Sequence, residues 1–111
     1  ELWNADTNTM LESTITANDG SNNPGYYNFI ITTSGNYYIH FPTTNNNHVL
    51  TAQNPTAAID DNSDANTITG NSATFAININ GTGTDKDNPT IDGGYKCPTG
   101  CVPISASKRT N

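Results

Sequence analysis

Residues 26–41 read YYNFIITTSGNYYIHF, seven aromatic or histidine side chains within sixteen positions of a chain otherwise dominated by Asn, Thr and Gly. A strand sends successive side chains to opposite faces. Tyr27, Phe29 and Ile31 therefore share one face of the first arm, and Tyr26, Asn28, Ile30 and Thr32 the other. Thr33-Ser34-Gly35-Asn36 reads as a turn. In the returning arm Tyr37, Ile39 and Phe41 share a face, with Tyr38 and His40 opposite, and Pro42 ends the arm because it cannot donate to a ladder. A hairpin in the right register gathers Tyr27, Phe29, Ile31, Tyr37, Ile39 and Phe41 into one apolar face. Few other large apolar residues exist, so this set is the expected core. The opposite face carries Tyr26, Tyr38 and His40. These side chains suit either packing beneath the N-terminal segment, with Trp3 and Leu11, or contact with a glycan or a protein surface.

The rest of the composition agrees with a strand-and-turn protein. Asn and Thr supply 36 of the 111 residues. Both rank low in helix propensity, whereas Thr fits strands and Asn fits turns. The length suits one domain, residues 1–111. A second alternating run, SATFAINI (residues 72–79), sends Ala73, Phe75, Ile77 and Ile79 to one side, and Asn80-Gly81 marks a turn after it. HVLTA (residues 48–52) is a short strand. Brief extended pieces are expected around Ala57–Ile59 and Thr67–Thr69, and an edge strand within CVPISASKRTN (residues 101–111). Residues 1–17 are ambiguous: Trp3, Thr7, Met10, Leu11, Thr14 and Ile15 share a helical face, while Trp3, Ala5, Thr7, Thr9, Leu11, Ser13 and Ile15 share a strand face. The expected fold is mainly β, an antiparallel β-sandwich or jelly roll of five to eight strands. The alternative is an α+β fold with an N-terminal helix packed on one antiparallel sheet.

The formal net charge is −6, with four basic residues in all. Such a chain has no electrostatic footprint for nucleic acid or anionic membrane. Nothing approaches the roughly 18 apolar residues of a membrane span. No secretory leader is present and residue 1 is Glu, which reads as a mature or trimmed chain. Cys97 and Cys101, in KCPTGCVP, suit a small disulfide loop, with free thiols or metal binding as the alternatives; a disulfide would imply export.

Chemistry-bearing patterns are sparse. In DDNSDAN, Asp60, Asn62, Asp64 and Asn66 place oxygens at alternate positions, as a loop wrapping calcium does. The run departs from an EF-hand loop at Ala65, where Gly is needed, and at Asn71, where Glu is. A solvated acidic turn is the plainer reading, so no cofactor is expected beyond a possible calcium. Neither histidine sits near a nucleophile motif, and the acids lie in loops rather than paired across a cleft; the expectation is that the chain is not an enzyme. Asn80-Gly81-Thr82 is the one N-glycosylation sequon free of proline.

GYYNFIITTSGNYYIHF, followed by HVLTAQNP and SATFAININGTG, resembles the sheet of small type IV pilin headpieces, minor pilins especially. That resemblance spans about residues 2–82 and implies a filament subunit whose long N-terminal helix ends within ELWNADTNTMLESTITA. The functional expectation is a non-catalytic, exported structural or adhesive subunit at a microbial cell surface, extracellular and self-associating. The alternative is a carbohydrate-binding β-sandwich, calcium-stabilised through Asp60–Asn66, that binds a surface glycan through Tyr26, Tyr38 and His40.

Overall fold

The structure, a computed structural model, describes residues 1–18, 20–22, 24–45, 47–53 and 63–96. Seven short strands are present among them: β1 (Leu2–Asn4), β2 (Thr9–Glu12), β3 (Gly35–Ile39), β4 (Thr44–Asn45), β5 (His48–Leu50), β6 (Phe75–Ile77) and β7 (Tyr95–Lys96). They form two antiparallel sheets, one in the order β2-β1-β3-β6 and one in the order β4-β5-β7. The fold is mainly β, as expected of a β-sandwich.

The N-terminal ambiguity resolves as two strands rather than a helix. Residues 2–4 and 9–12 form a hairpin with Trp3 opposite Met10 and Asn4 opposite Thr9. Asn4 drives the turn: its side-chain oxygen accepts the backbone N–H of Asp6 at 2.9 Å and of Thr7 at 3.1 Å. This local bond competes with helix formation. Asn8 completes the reversal at φ 52°, a conformation Asn tolerates better than most side chains. The α+β alternative therefore falls, because the chain that was to be its helix is the middle and edge of a sheet.

The expected hairpin of residues 26–41 is half formed. Its second arm is β3, but β3 pairs with β1 on one side (Leu2↔Ile39, Trp3↔Tyr38, Asn4↔Tyr37) and with β6 on the other (Gly35↔Ile77, Asn36↔Ala76, Tyr37↔Phe75). Both edges of β3 are thus taken. The first arm runs extended but joins no ladder over residues 27–32, and only Tyr26 makes a bridge, to Ala17. It serves instead as a strap over the sheet. The period-two alternation survives this change: Tyr27, Phe29 and Ile31 face inward, while Tyr26, Asn28, Ile30 and Thr32 are exposed.

The core reflects the inward set. Leu2, Tyr37, Ile39 and Ile77 are buried together, with Tyr27, Phe29, Ile31, Phe41, Phe75 and Ile91 packed against them. All six residues read from the sequence as one apolar face lie in this cluster or against it. Tyr27 meets Phe29 and Phe41 edge-on, with ring centroids 5.9 Å apart in both pairs, the geometry the ring quadrupoles favour. Phe41 sits over Gly93, where an added Cβ would lie 3.1 Å from the ring. Thr51 accepts a place beside Gly94 and donates its N–H to the Gly94 carbonyl at 2.8 Å, next to the β5–β7 ladder.

Elsewhere the expectations shift at their edges. Residues 67–69 form a turn rather than an extended piece, and the second alternating run is a strand only over Phe75–Ile77. The pieces expected at Ala57–Ile59 and within residues 101–111 lie outside the described residues. Ser72 links strands through its side chain: the buried Ile39 N–H donates to Ser72 Oγ at 3.0 Å, and Ser72 N–H donates to the Ile39 carbonyl at 2.8 Å. Ser72→Ala removes the acceptor and leaves a buried donor unmet. The expected loss is about 2 kcal/mol, read as a lower urea midpoint with an unchanged slope.

Candidate functional site

The strap forms one wall of an apolar groove of about 540 Å³. Leu2, Ile39, Phe75 and Ile77 make its floor, residues 25–31 one wall, and residues 86–92 the other. The second wall is built by local hydrogen bonding. A 3-10 turn over Gly83–Asp85 starts at Gly83, whose φ is +60°. The N–H groups of Lys86 and Asp87 both donate to the Gly83 carbonyl, and Asn78 N–H donates to the Asp85 carbonyl. Further on, the Asn88 side chain accepts from both Thr90 N–H and Thr90 Oγ1. Asp92 and Asp64 then grip each other: Asp92 N–H donates to Asp64 Oδ2 at 2.8 Å, and Asp64 N–H donates to the Asp92 carbonyl at 2.7 Å.

Tyr27 ties the two walls together by donating its phenol O–H to the Ile91 carbonyl. Its pKa is pushed up, first by burial, then by the negative charges of Asp92 and Asp64. Burial also pushes Tyr95 up. A raised folded-state pKa means the unfolded phenol, at its ordinary value of 10.0, gives up its proton first. The stabilisation is complete below that pH and is lost as pH rises above it. The expected result is a melting temperature that falls steeply beyond about pH 10. Tyr27→Phe should flatten that fall, while lowering stability at neutral pH by about 1 kcal/mol for the lost hydrogen bond. Melting curves from pH 7 to pH 11 check both, and equal alkaline slopes would contradict the assignment.

The opposite, outer face of the first sheet carries a different set. Met10, Trp3 and Tyr38 lie in a row across β2, β1 and β3. The Trp3 and Tyr38 rings stack with centroids 5.8 Å apart and planes 13° from parallel. Trp3 Nε1 donates to Glu1 Oε1 at 3.0 Å, and Tyr38 O–H donates to Asn8 Oδ1 at 2.7 Å. Both polar tips are thereby fixed, and the rings with them. His40 Nδ1 meets Asn71 Oδ1 at 2.7 Å, a contact that takes the Nδ1–H tautomer.

The sequence placed Tyr26, Tyr38 and His40 on one face. The alternation of β3 keeps Tyr38 and His40 together on the outer face. Tyr26, 51% exposed, stands at the groove instead, because the strap is not paired beside β3. Of the oxygen-rich run, Asp60 and Asn62 lie outside the described residues. Asp64 is bound to Asp92 as above, and Asn66 Oδ1 accepts the N–H groups of Ile68 and Thr69 at 2.8 and 3.0 Å, so it shapes a turn. Among the described residues no group of three or more His, Cys, Asp or Glu is placed to hold a metal ion. Cys97 and Cys101 lie outside the described residues.

The sequence reading missed the groove and its second wall. Ile91 sits alone in a polar run read as loop, and the only signal was its place just before the paired glycines 93–94, which admit Phe41 and Thr51.

Comparison with known proteins matches the SdrD B-like domain family over residues 1–95. Neither the curated proteins nor the solved structures yield a match. The type IV pilin resemblance is overturned on two grounds. The family is a different one, and the segment that was to end the pilin helix is the β1–β2 hairpin, with no α-helix among the described residues. No helix among those residues is long and apolar enough to cross a membrane. SdrD B-like domains are β-sandwich modules of surface-anchored adhesins, structural rather than catalytic in kind. Two antiparallel sheets and a family match over residues 1–95 give one conclusion: the chain belongs to the SdrD B-like domain family.

Proposed function

We propose that the chain serves as a rigid, non-catalytic body within a cell-surface adhesin and acts by position and contact. The observation that supports this most is the placement of β1. The first strand is held on both edges, by β2 and by β3, and the chain re-enters the sheet at Glu1, whose carbonyl accepts the His40 N–H at 2.8 Å. Force applied along the strand at residue 1 must therefore shear two ladders at once. In mechanical extension between attachments at residues 1 and 96, the expected record is one cooperative rupture. Extension that lengthens smoothly, with no force peak, would overturn the reading.

A second reading rests on the Trp3–Tyr38 pair. Two stacked, half-exposed rings on a sheet face, bordered by Asn8, Asn36 and Asp6, offer the apolar and hydrogen-bonding surfaces that a sugar ring presents in return. On this reading the outer face touches a surface glycan. Chemical-shift titration against a glycan panel should move the Trp3 indole resonance, and Tyr38→Ala should abolish the shift without altering the fold.

A further inference from the structure

We propose that the strap, residues 27–32, is a self-pairing edge through which two copies of this chain associate as an antiparallel homodimer. The strap is extended, alternates inward and outward, and joins no ladder. Its outward side presents Ile30, 78% exposed, beside Tyr26. Its flank opens on the groove, so nothing covers the backbone there.

The other edges of the molecule are guarded and this one is not. Folded proteins blunt a free strand edge by keeping it short, charging it or bulging it. Among the described strands, β2 carries a bulge and ends at Glu12, β7 ends at Lys96, β4 has two residues and β6 three. The strap has six residues and none of these devices. No Asp, Glu, Lys or Arg occurs from Gly20 to Ile59.

Charge selects a second copy as the occupant. Each chain carries a net charge of −6, so two copies repel wherever their acids face each other. A two-fold contact sets a segment against itself, and the strap is neutral over its whole length. With Phe29 on the two-fold axis, Asn28 of one copy lies opposite Ile30 of the other and Tyr27 opposite Ile31, so the inward apolar row continues across the pair. The contact would join two such bodies side by side, which goes beyond their role as rigid modules.

Sedimentation velocity of the 111-residue chain from about 1 μM to about 1 mM tests the proposal, because a homodimer responds to concentration. The unaltered chain should pass from monomer to dimer. Ile30→Lys should stay monomeric at every concentration with an unchanged melting temperature. Ile68→Lys, which changes an equally exposed residue (85%) in a turn elsewhere, should dimerise as the unaltered chain does. A monomer throughout, or a loss of dimer in both variants alike, would overturn the proposal. Persistence of the dimer in Ile30→Lys would overturn it too. None of these results touches the single-molecule rupture expected of the isolated domain.

Discussion

Gly70→Ala should destabilise the domain by about 3 kcal/mol or more. Two effects add at this position. Gly70 holds φ +78°, and the left-handed conformation costs an L-residue about 1–2 kcal/mol. Space is the second effect: a Cβ at Gly70 would stand 2.1 Å from the Phe41 carbonyl oxygen and 3.0 Å from the His40 ring. That oxygen belongs to backbone and cannot swing away. Moving it disturbs the Phe41 N–H to Gly70 carbonyl bond at 2.7 Å, which anchors the end of β3 and the seat of Phe41. Gly83→Ala separates the two effects. Gly83 also has positive φ, +60°, but nothing lies within 4 Å of its added Cβ. It should cost only the conformational part, about 1 kcal/mol. Urea unfolding of both variants measures the difference; equal costs would show that the close approach at Gly70 carries no energy.

Tyr37→Ala should cost about 3–5 kcal/mol, the range for removing a buried aromatic side chain. Tyr37 is 4% exposed and stands at the centre of the first sheet, opposite Asn4 on β1 and Phe75 on β6. Its ring lies 6.5 Å from that of Phe75, and its O–H donates to the Thr33 carbonyl at 2.5 Å. The ring and the bond can be told apart. Tyr37→Phe keeps the ring and forfeits about 1 kcal/mol for the hydrogen bond. Small domains hold about 5–15 kcal/mol in total, so Tyr37→Ala removes a large share and should leave the chain partly unfolded at 37 °C. A loss below about 1 kcal/mol by urea titration would mean that the core is not centred on β3.

How much of this was legible in the sequence depends on the distance over which each feature is decided. The inward row of the strap and of β3 was readable because alternation is local and six apolar residues fell on one parity. The pairing partners were not. β3 takes β1 from over thirty residues upstream and β6 from over thirty downstream, and nothing in YYNFIITTSGNYYIHF states that its two arms will be separated. The N-terminal hairpin hinged on two asparagines, Asn4 as side-chain acceptor and Asn8 at positive φ. In a chain so rich in Asn those two do not stand out. Leu2 was passed over for the same reason, since the period of its segment stayed open. The aromatic pair on the outer face was half visible: Tyr38 was singled out, and Trp3 was named as its possible cover. Tyr26 was misplaced because its position depended on the pairing that did not form. The pilin likeness failed similarly, since it relied on a strand-turn-strand order that many antiparallel folds share.

Amide hydrogen exchange of the dilute, monomeric chain tests the layered arrangement most directly. The account predicts slow exchange at Ala5, His40, Phe41 and Ser72, whose N–H groups are bonded to backbone carbonyls at 2.7–2.9 Å, and fast exchange at Asn28, Phe29, Ile30 and Ile31 in the strap. Slow exchange along the strap, matched to that of β3, would instead mean that residues 26–41 close as a hairpin. That result would contradict both the β1-β3-β6 pairing and the free edge on which self-association depends.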